Sequence, residues 1–261
     1  MTSLITMAVY DTEDNGRTWM TKKTLLSLMS TVNFDYHQLM IADNGSCEAT
    51  HELYETYRGI ITDVEYIGKN IGTAAALNRL WRRRTPEHRC VVKIDNDVMI
   101  WAYGWLELME KAFDRDWSLG IAGLKRKDLQ EFPGHHDPFY RSALEMMDHR
   151  PGEPWVVLEF VNHVMGTCQA YRRGLLDKIG YLYQPGLYGF DDALAAVRCK
   201  QAGYRLAFIP HIEIDHIDRG GTNYTIWKSQ EAGRLMGTYE RLVDDYKSGR
   251  RSVYYDGGFD V

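Results

Sequence analysis

The chain carries four cysteines, Cys47, Cys90, Cys168 and Cys199, and no two are close enough in sequence to make a CxxC pair. That spacing excludes a zinc framework or a disulfide scaffold and predicts reduced thiols in a cytoplasmic protein. Long apolar runs are missing too. None reaches the ~18 residues that a membrane span requires, so no integral membrane segment is expected. The opening residues, Met1 to Tyr10, lack the basic flank and the length of a secretory signal. Positive charge is short as well: 31 Lys and Arg stand against 36 Asp and Glu, for a net charge of −5. This excludes a protein that coats nucleic acid along its whole surface and leaves room only for a local basic groove. The densest basic run, Trp81-Arg82-Arg83-Arg84, reads either as a solvated helix end or as a polyanion patch. Internal repeats, low-complexity tracts and a dividing linker are all lacking. One domain over residues 1–261 is therefore predicted, with 44% apolar residues to build a sizeable core.

What is present alternates. Strands are predicted at 4–10, 38–42, 63–67 and 91–94. Helices are predicted between them at 18–31 and 47–58, and after the glycine-punctuated loop 68–72, where Thr73, Ala76, Leu77, Leu80 and Trp81 fall at helical spacing. This order predicts an α/β fold, a Rossmann-like, mostly parallel sheet flanked by helices. In such sheets ligands bind beyond the carboxyl ends of the strands. The second half alternates less cleanly. A strand is predicted at 119–124, β structure over 156–170, and a helix over 171–179. A further helix follows Asp191-Asp192, a strand runs from 205 to 216, and a last helix runs from 229 to 247. Residues 128–154 are polar and irregular, with the run His135-His136-Asp137, and read as a functional loop or lid. The chain divides as 1–100, where the alternation is regular, 101–228, where it is not, and 229–261, a terminal helix and tail.

The central motif is Val91-Val92-Lys93-Ile94-Asp95-Asn96-Asp97-Val98-Met99-Ile100. An apolar run enters it, two acids one residue apart interrupt it, and an apolar run leaves it. Buried charge is costly unless it is paired or bound to metal. Hard carboxylate oxygens at a strand end suit Mg2+ or Mn2+ bridging to a phosphate, and a plain turn or helix cap is the simpler alternative.

Other residues carry two readings each. Asp43 and Asn44 follow a strand, where the carboxylate can accept from a base N–H or close an Asx-turn. Asn70, Gly72, Ala75 and Asn78 surround a helix start, which favours an anion or is simple turn chemistry. Asp191 and Asp192 open a helix after Tyr188-Gly189-Phe190. The helix dipole favours acids there, and two together can supply a general base. In the strand ending at His216, alternation puts His211, Glu213 and Asp215 on one face and Ile212, Ile214 and His216 on the other. His216 is then the lone polar residue on an apolar face, either a satisfied core residue or a metal ligand. The pair Gly220-Gly221 can hinge a closing loop. Trp101, Tyr103 and Trp105 either stack on a ligand or pack in the core.

In this order the segments resemble the GT-A fold glycosyltransferases, and within them the large family 2 group. Four blocks carry the resemblance, which spans about residues 4–227: Ile41-Ala42-Asp43-Asn44-Gly45-Ser46; Asn70-Ile71-Gly72 through Asn78; Asp95-Asn96-Asp97; and Tyr188-Gly189-Phe190-Asp191-Asp192 through Arg198 and Gly203-Tyr204. The resemblance implies a metal-dependent hexosyl- or pentosyltransferase that moves a sugar from a UDP- or GDP-sugar donor to a hydroxyl acceptor with inversion. It implies Mn2+ or Mg2+ on Asp97 and His216, with Asp95 touching metal or ribose. Asp43 would read the base, lined by Ala8, Val9 and Tyr10, and Asn44, Asn70, Gly72, Ala75, Asn78 and Asn96 would complete the donor site. Asp192 would be the base, assisted by Asp191, although Asp-Asp stands where the family commonly has Glu-Asp. The acceptor would be a glycan or a small molecule, with a modified DNA base also compatible. Three rivals remain. A nucleotidyltransferase would need a basic, glycine-rich loop where this chain has the acidic run 11–17. A carbohydrate-binding module would not need Asp191 and Asp192 beside a metal. A metallophosphoesterase would need His135, His136, His211 and His216 around two clustered metals.

Overall fold

The computed structural model describes residues 2–129, 143–147 and 150–258. The first half folds in the predicted alternation. Strand β1 (Thr2–Val9) is followed by α1 (Thr18–Thr31), β2 (Gln38–Asp43), α2 (Glu48–Thr56), β3 (Asp63–Tyr66), α3 (Thr73–Trp81) and β4 (His88–Ile94). Successive residues of β1 enter different cores. Ile5, Met7 and Val9 pack with Leu25 and Leu28 of α1, whereas Leu4 packs with Leu77, Leu80 and Trp81 of α3. A strand covered on both faces needs an uninterrupted apolar run rather than alternation, which is why these strands are conspicuous in the sequence. Thr6, which with Ser3 is a fully buried polar residue of β1, accepts from Trp81 Nε1 at 3.0 Å through its hydroxyl, and that hydroxyl donates to Val92 O at 2.7 Å.

The second half departs from expectation in three places. A short strand β5 (Val98–Ile100) and a helix α4 (Trp105–Arg115) follow the acid pair directly. Trp105, Leu106, Met109 and Ala112 form the fully buried stripe of α4. Trp105 is thus a core residue, while Trp101 and Tyr103 in the loop before it stand exposed. Next come β6 (Leu119–Arg126), β7 (Ala143–Met146), β8 (Val157–Val161) and β9 (Cys168–Arg172), so the β region expected over 156–170 is two strands. Helix α5 (Arg173–Ile179), helix α6 (Asp191–Gln201), strand β10 (Arg205–His216) and helix α7 (Asn223–Lys247) complete the chain. Helix α7 starts earlier than residue 229 because the Thr222 side chain accepts from Thr225 N and caps it there. Of the predicted loop 128–154, residues 130–142, with His135, His136 and Asp137, lie outside the described residues.

The described strands form one sheet in the order β3-β2-β1-β4-β9-β6-β10-β8-β7, with β5 paired to β10. Strands β1 to β4 and the β6–β10 pair run parallel, while β9 lies antiparallel between β4 and β6. The sheet is therefore mixed and mostly parallel, with α1, α2 and α4 packed in one core and α3, α5 and α6 in the other. Among the described residues no helix is long and apolar enough to cross a membrane. The basic run after α3 is a helix end. Arg83 pairs with Asp63, and Arg84 donates to Trp81 O and lies over the Tyr181 ring.

Candidate active site

A cleft of about 230 Å3 opens at the carboxyl ends of β1, β4 and β6. Two backbone constraints make it. Where β4 ends, Asp95 N donates to Thr167 O at 3.0 Å. The chain then turns into β5, which pairs antiparallel with the end of β10, His216 opposite Val98, and Ile217 N donates to Asp97 O at 2.8 Å. The other edge of β5 is satisfied by α1, with Thr24 Oγ1 accepting from Val98 N at 2.9 Å. Pairing and parity together aim His216 at the acid pair. Ile212 and Ile214 bury in the core, and the next residue on that face, His216, reaches the cleft with Nε2 at 3.4 Å from Asp97 Oδ2.

Asp97 is almost wholly buried, and its Oδ2 also accepts from Arg17 Nη2 at 2.6 Å. Burial alone would push its carboxyl up. The hydrogen bond and charge of His216 and the charge of Arg17 outweigh burial and hold it well below the usual carboxylate range. Its Oδ1 is buried with no hydrogen-bond partner, as is His216 Nδ1. Such an orphan acceptor is uncommon in a folded protein and calls for an unseen partner. Asp95 behaves differently. It faces the cleft with 38% of its side chain open, 4.0 Å from Lys93 Nζ, and its enclosed surroundings push its carboxyl up to about 6 against the pull of Lys93. Among the described residues no three His, Cys, Asp or Glu side chains gather into a metal-holding group. One carboxylate and one imidazole are nevertheless a fitting donor pair for a hard cation whose remaining ligands come from a bound phosphate.

The acids opening α6 divide their work. Asp191 is buried and ion-paired with Lys93 Nζ at 2.5 Å. Lys93 is itself buried, and Asp191, Asp95 and Asp192 outweigh the cost of that burial to hold it charged. Asp192 keeps 21% of its side chain accessible; its Oδ2 accepts from Gly166 N at 2.9 Å and lies 3.3 Å from His163 Nε2. Burial works against the charge of Asp192, but His163 and then Lys93 hold its carboxyl well below the usual range, so it is ionised at neutral pH. A Cβ at Gly166 would stand 2.7 Å from Lys93 Nζ and 3.2 Å from Asp192, so a side chain there would push the ammonium aside. Just before the pair, Phe190 adopts φ 67°, a left-handed conformation that costs a non-glycine residue on the order of 1 kcal/mol. Its ring stacks on Tyr239 of α7 at 4.5 Å, which holds the turn.

The donor-side residues sort into two groups. Ala8, Val9, Tyr10, Asn44, Asn70, Asp95, Asn96, Asp97, Asp191, Asp192 and His216 all line the cleft. Asn44 bonds to Asn70 Oδ1 and accepts from Ile71 N, both at 2.9 Å, so two loops are locked together. Asn96 turns its amide to Asp11 and Thr21. Asp43, Gly72, Ala75 and Asn78 do not line it. Asp43 is closed into an Asx-turn, accepting from Gly45 N, Ser46 N and Tyr54 OH. Gly72 has φ 91° and lies tight against Gly186 O and Leu187 Cα. Ala75 is on the exposed side of α3, and the amide of Asn78 clasps both backbone groups of Leu182. Away from the cleft, Asp215 accepts from Trp101 Nε1 and Lys127 Nζ, and His211 is exposed.

Several lining residues are additions to the sequence reading: Arg17, Lys93, Arg126, Tyr224, Trp227 and Lys228. Lys93 had a signal, a lysine inside an apolar strand. Arg17 and Lys228 had none, because only the tertiary fold joins them through Asp218.

No family model and no curated relative matches the chain. Solved structures do. The mannosyltransferase PcManGT from Pyrobaculum calidifontis, in complex with GDP-Man and Mn2+, superposes with a TM-score of 0.67 at 17% identity, covering 93% of this chain and 64% of that one. GalNAc-T7 with UDP, GalNAc and Mn2+ gives 0.60 at 16% identity, over 94% of this chain and 49% of that one. S. aureus TarS gives 0.60 at 16%, over 99% and 45%. This chain thus spans about half to two thirds of the length of these proteins. The fold it shares with them is the GT-A glycosyltransferase fold expected from the sequence.

Proposed function

We propose that the chain is a metal-dependent glycosyltransferase that transfers a hexosyl or pentosyl group from a UDP- or GDP-sugar to a hydroxyl of a glycan or small molecule, with inversion. The observation that carries the proposal is the meeting of Asp97 and His216 in the same cleft as the ionised Asp192. The complexes of PcManGT with GDP-Man and Mn2+ and of GalNAc-T7 with UDP, GalNAc and Mn2+ support it, as does the fold, although fold alone does not fix chemistry.

The cleft brings no surplus positive charge to a diphosphate, because the lining acids Asp95, Asp97, Asp191 and Asp192 face the lining bases Arg17, Lys93, Arg126 and Lys228. A Mn2+ or Mg2+ held by Asp97 and His216 supplies, when bound, the charge that meets the leaving nucleoside diphosphate. Tyr10, Asn44 and Asn70 line the donor side, and Tyr188, Tyr224 and Trp227 give the cleft an aromatic wall suited to a sugar face. Lys93 neutralises Asp191 and leaves Asp192, which keeps 21% of its side chain accessible beside His163, as the base. Asp192 takes the proton of the acceptor hydroxyl as that oxygen attacks the anomeric carbon, and the sugar–phosphate bond breaks on the opposite side.

The test is a thermal-shift panel of UDP, GDP and their sugars, each with Mn2+ and with EDTA. One nucleotide should raise the melting temperature only with the cation present. No shift with any of them would return the carbohydrate-binding alternative.

A further inference from the structure

We infer that Arg17 is the resident counter-ion of Asp97, and that it moves to the donor's diphosphate when a divalent cation takes that carboxylate, so that cation and nucleotide load together. The inference rests on the donor site proposed above. Three observations carry it.

First, Arg17 stands on the Asp97 oxygen that faces His216. Its Nη2 lies 2.6 Å from Asp97 Oδ2, the same oxygen that His216 Nε2 approaches at 3.4 Å. A divalent cation shared by Asp97 and His216 would bind this oxygen and repel a guanidinium 2.6 Å from it. Second, the side chain has somewhere to leave from and something to leave behind. The loop that carries it is fixed, with Arg17 N donating to Asn15 Oδ1 at 3.2 Å and Asn15 Nδ2 donating to Tyr10 O at 2.8 Å. The other Arg17 amine pairs with Asp218, which also has Lys228 Nζ at 3.6 Å. Asp218 therefore keeps a cation when Arg17 turns away, and no buried carboxylate is stranded. Third, Arg17 lines the cleft, with its guanidinium 5.1 Å from the Tyr224 ring centroid. A planar fork freed from Asp97 in that position matches the geometry of a phosphate.

The physical consequence is a thermodynamic coupling. Without a nucleotide, a cation must displace Arg17 with nothing to receive it. With a diphosphate present, the displaced guanidinium gains a new anionic partner, and each ligand raises the affinity for the other.

The test measures Mn2+ binding to the whole chain by calorimetry, first alone and then with UDP and with GDP. Alone, Arg17→Gln should bind Mn2+ about tenfold more tightly than the wild type, the worth of one charge-assisted hydrogen bond. It should also lose most of the enhancement that the better nucleotide gives the wild type. Lys228→Gln removes an equal charge from the same cleft but also the cation left for Asp218, and should not tighten Mn2+ binding. Arg17→Lys keeps a cation for Asp218 but lacks the fork, and should show a smaller gain in the same direction. It carries the test should the glutamine variant fail to fold. Wild-type Mn2+ affinity in folded Arg17→Gln or Arg17→Lys protein overturns the inference, and so does an equal gain in Lys228→Gln. The arm without nucleotide is independent of the donor assignment, which fails separately if neither UDP nor GDP binds with Mn2+ present.

Discussion

His216 Nε2 and Asp97 Oδ2 stand 3.4 Å apart because β5 pairs with the end of β10. One backbone ladder sets the distance between a carboxylate from the middle of the chain and an imidazole from its last strand. Asp97→Asn and His216→Ala should each weaken Mn2+-supported nucleotide binding by about 10- to 100-fold. In EDTA the variants and the wild type should bind equally. Calorimetry with UDP and GDP reads both numbers, and an undiminished affinity with Mn2+ would remove these residues from the cation site.

Asp192 and Asp191 should separate in a kinetic experiment. Asp192→Asn should lower turnover by about 10²- to 10⁴-fold while nucleotide affinity stays at the wild-type value. Its carboxyl sits well below the usual range in the folded protein, so it is charged throughout the neutral and mildly acidic region. Any loss of turnover between pH 6 and 5 in the wild type should therefore not report Asp192, whereas folded His163→Ala protein, which lacks the group that holds this carboxyl down, should show the acid limb of its profile moved to higher pH. Nucleoside diphosphate release from the sugar nucleotide, followed against pH, provides the measurement.

Lys93 and Asp191 form a buried pair at 2.5 Å. Removing one partner strands the other charge, so Lys93→Met should cost about 3–5 kcal/mol in urea unfolding. Replacing Asp191 by Asn in the same chain should recover a large part of that loss. A double variant as unstable as the sum of the two single ones would mean that the pair contributes nothing as a pair.

Asp11 gives a pH signature. It is fully buried, and burial pushes its carboxyl up to about 6 despite hydrogen bonds from Thr21 and Asn96. A raised carboxyl pKa stabilises the fold while the group is protonated. That contribution is complete below about pH 4 and is lost as pH rises through about 6, on the order of 3 kcal/mol in all. Asp11→Asn should therefore gain stability relative to the wild type between pH 4 and pH 7, and chemical denaturation at the two pH values checks the sign.

The chain as far as Ile94 was legible because strands buried on both faces must be apolar throughout, and Ile5, Met7, Val92 and Ile94 are all in the core. Parity singled out His216 as the polar residue in register with Ile212 and Ile214 but left it as a core residue or a ligand. Strand β5 was not, since three residues show no period and the aromatics beyond it resemble a stacking patch. Helix α4 was obscured for the same reason, with Trp105 read together with the exposed Trp101 and Tyr103. The antiparallel insertion of β9 between β4 and β6 depends on pairings across the whole chain, which no local pattern records. Asn78 shows the opposite limit. A residue placed at the donor by motif spends its amide on the Leu182 backbone. Arg17 escaped because its partners Asp97 and Asp218 are remote in sequence.

The account depends most on where a cation goes. Crystals of the whole chain grown with Mn2+ and the stabilising nucleoside diphosphate, with diffraction recorded at the manganese edge, locate it directly. The predicted result is one anomalous peak shared by Asp97, His216 and the diphosphate, with Arg17 turned from Asp97 onto phosphate oxygen. A diphosphate bound in the cleft with no manganese on Asp97 would contradict it.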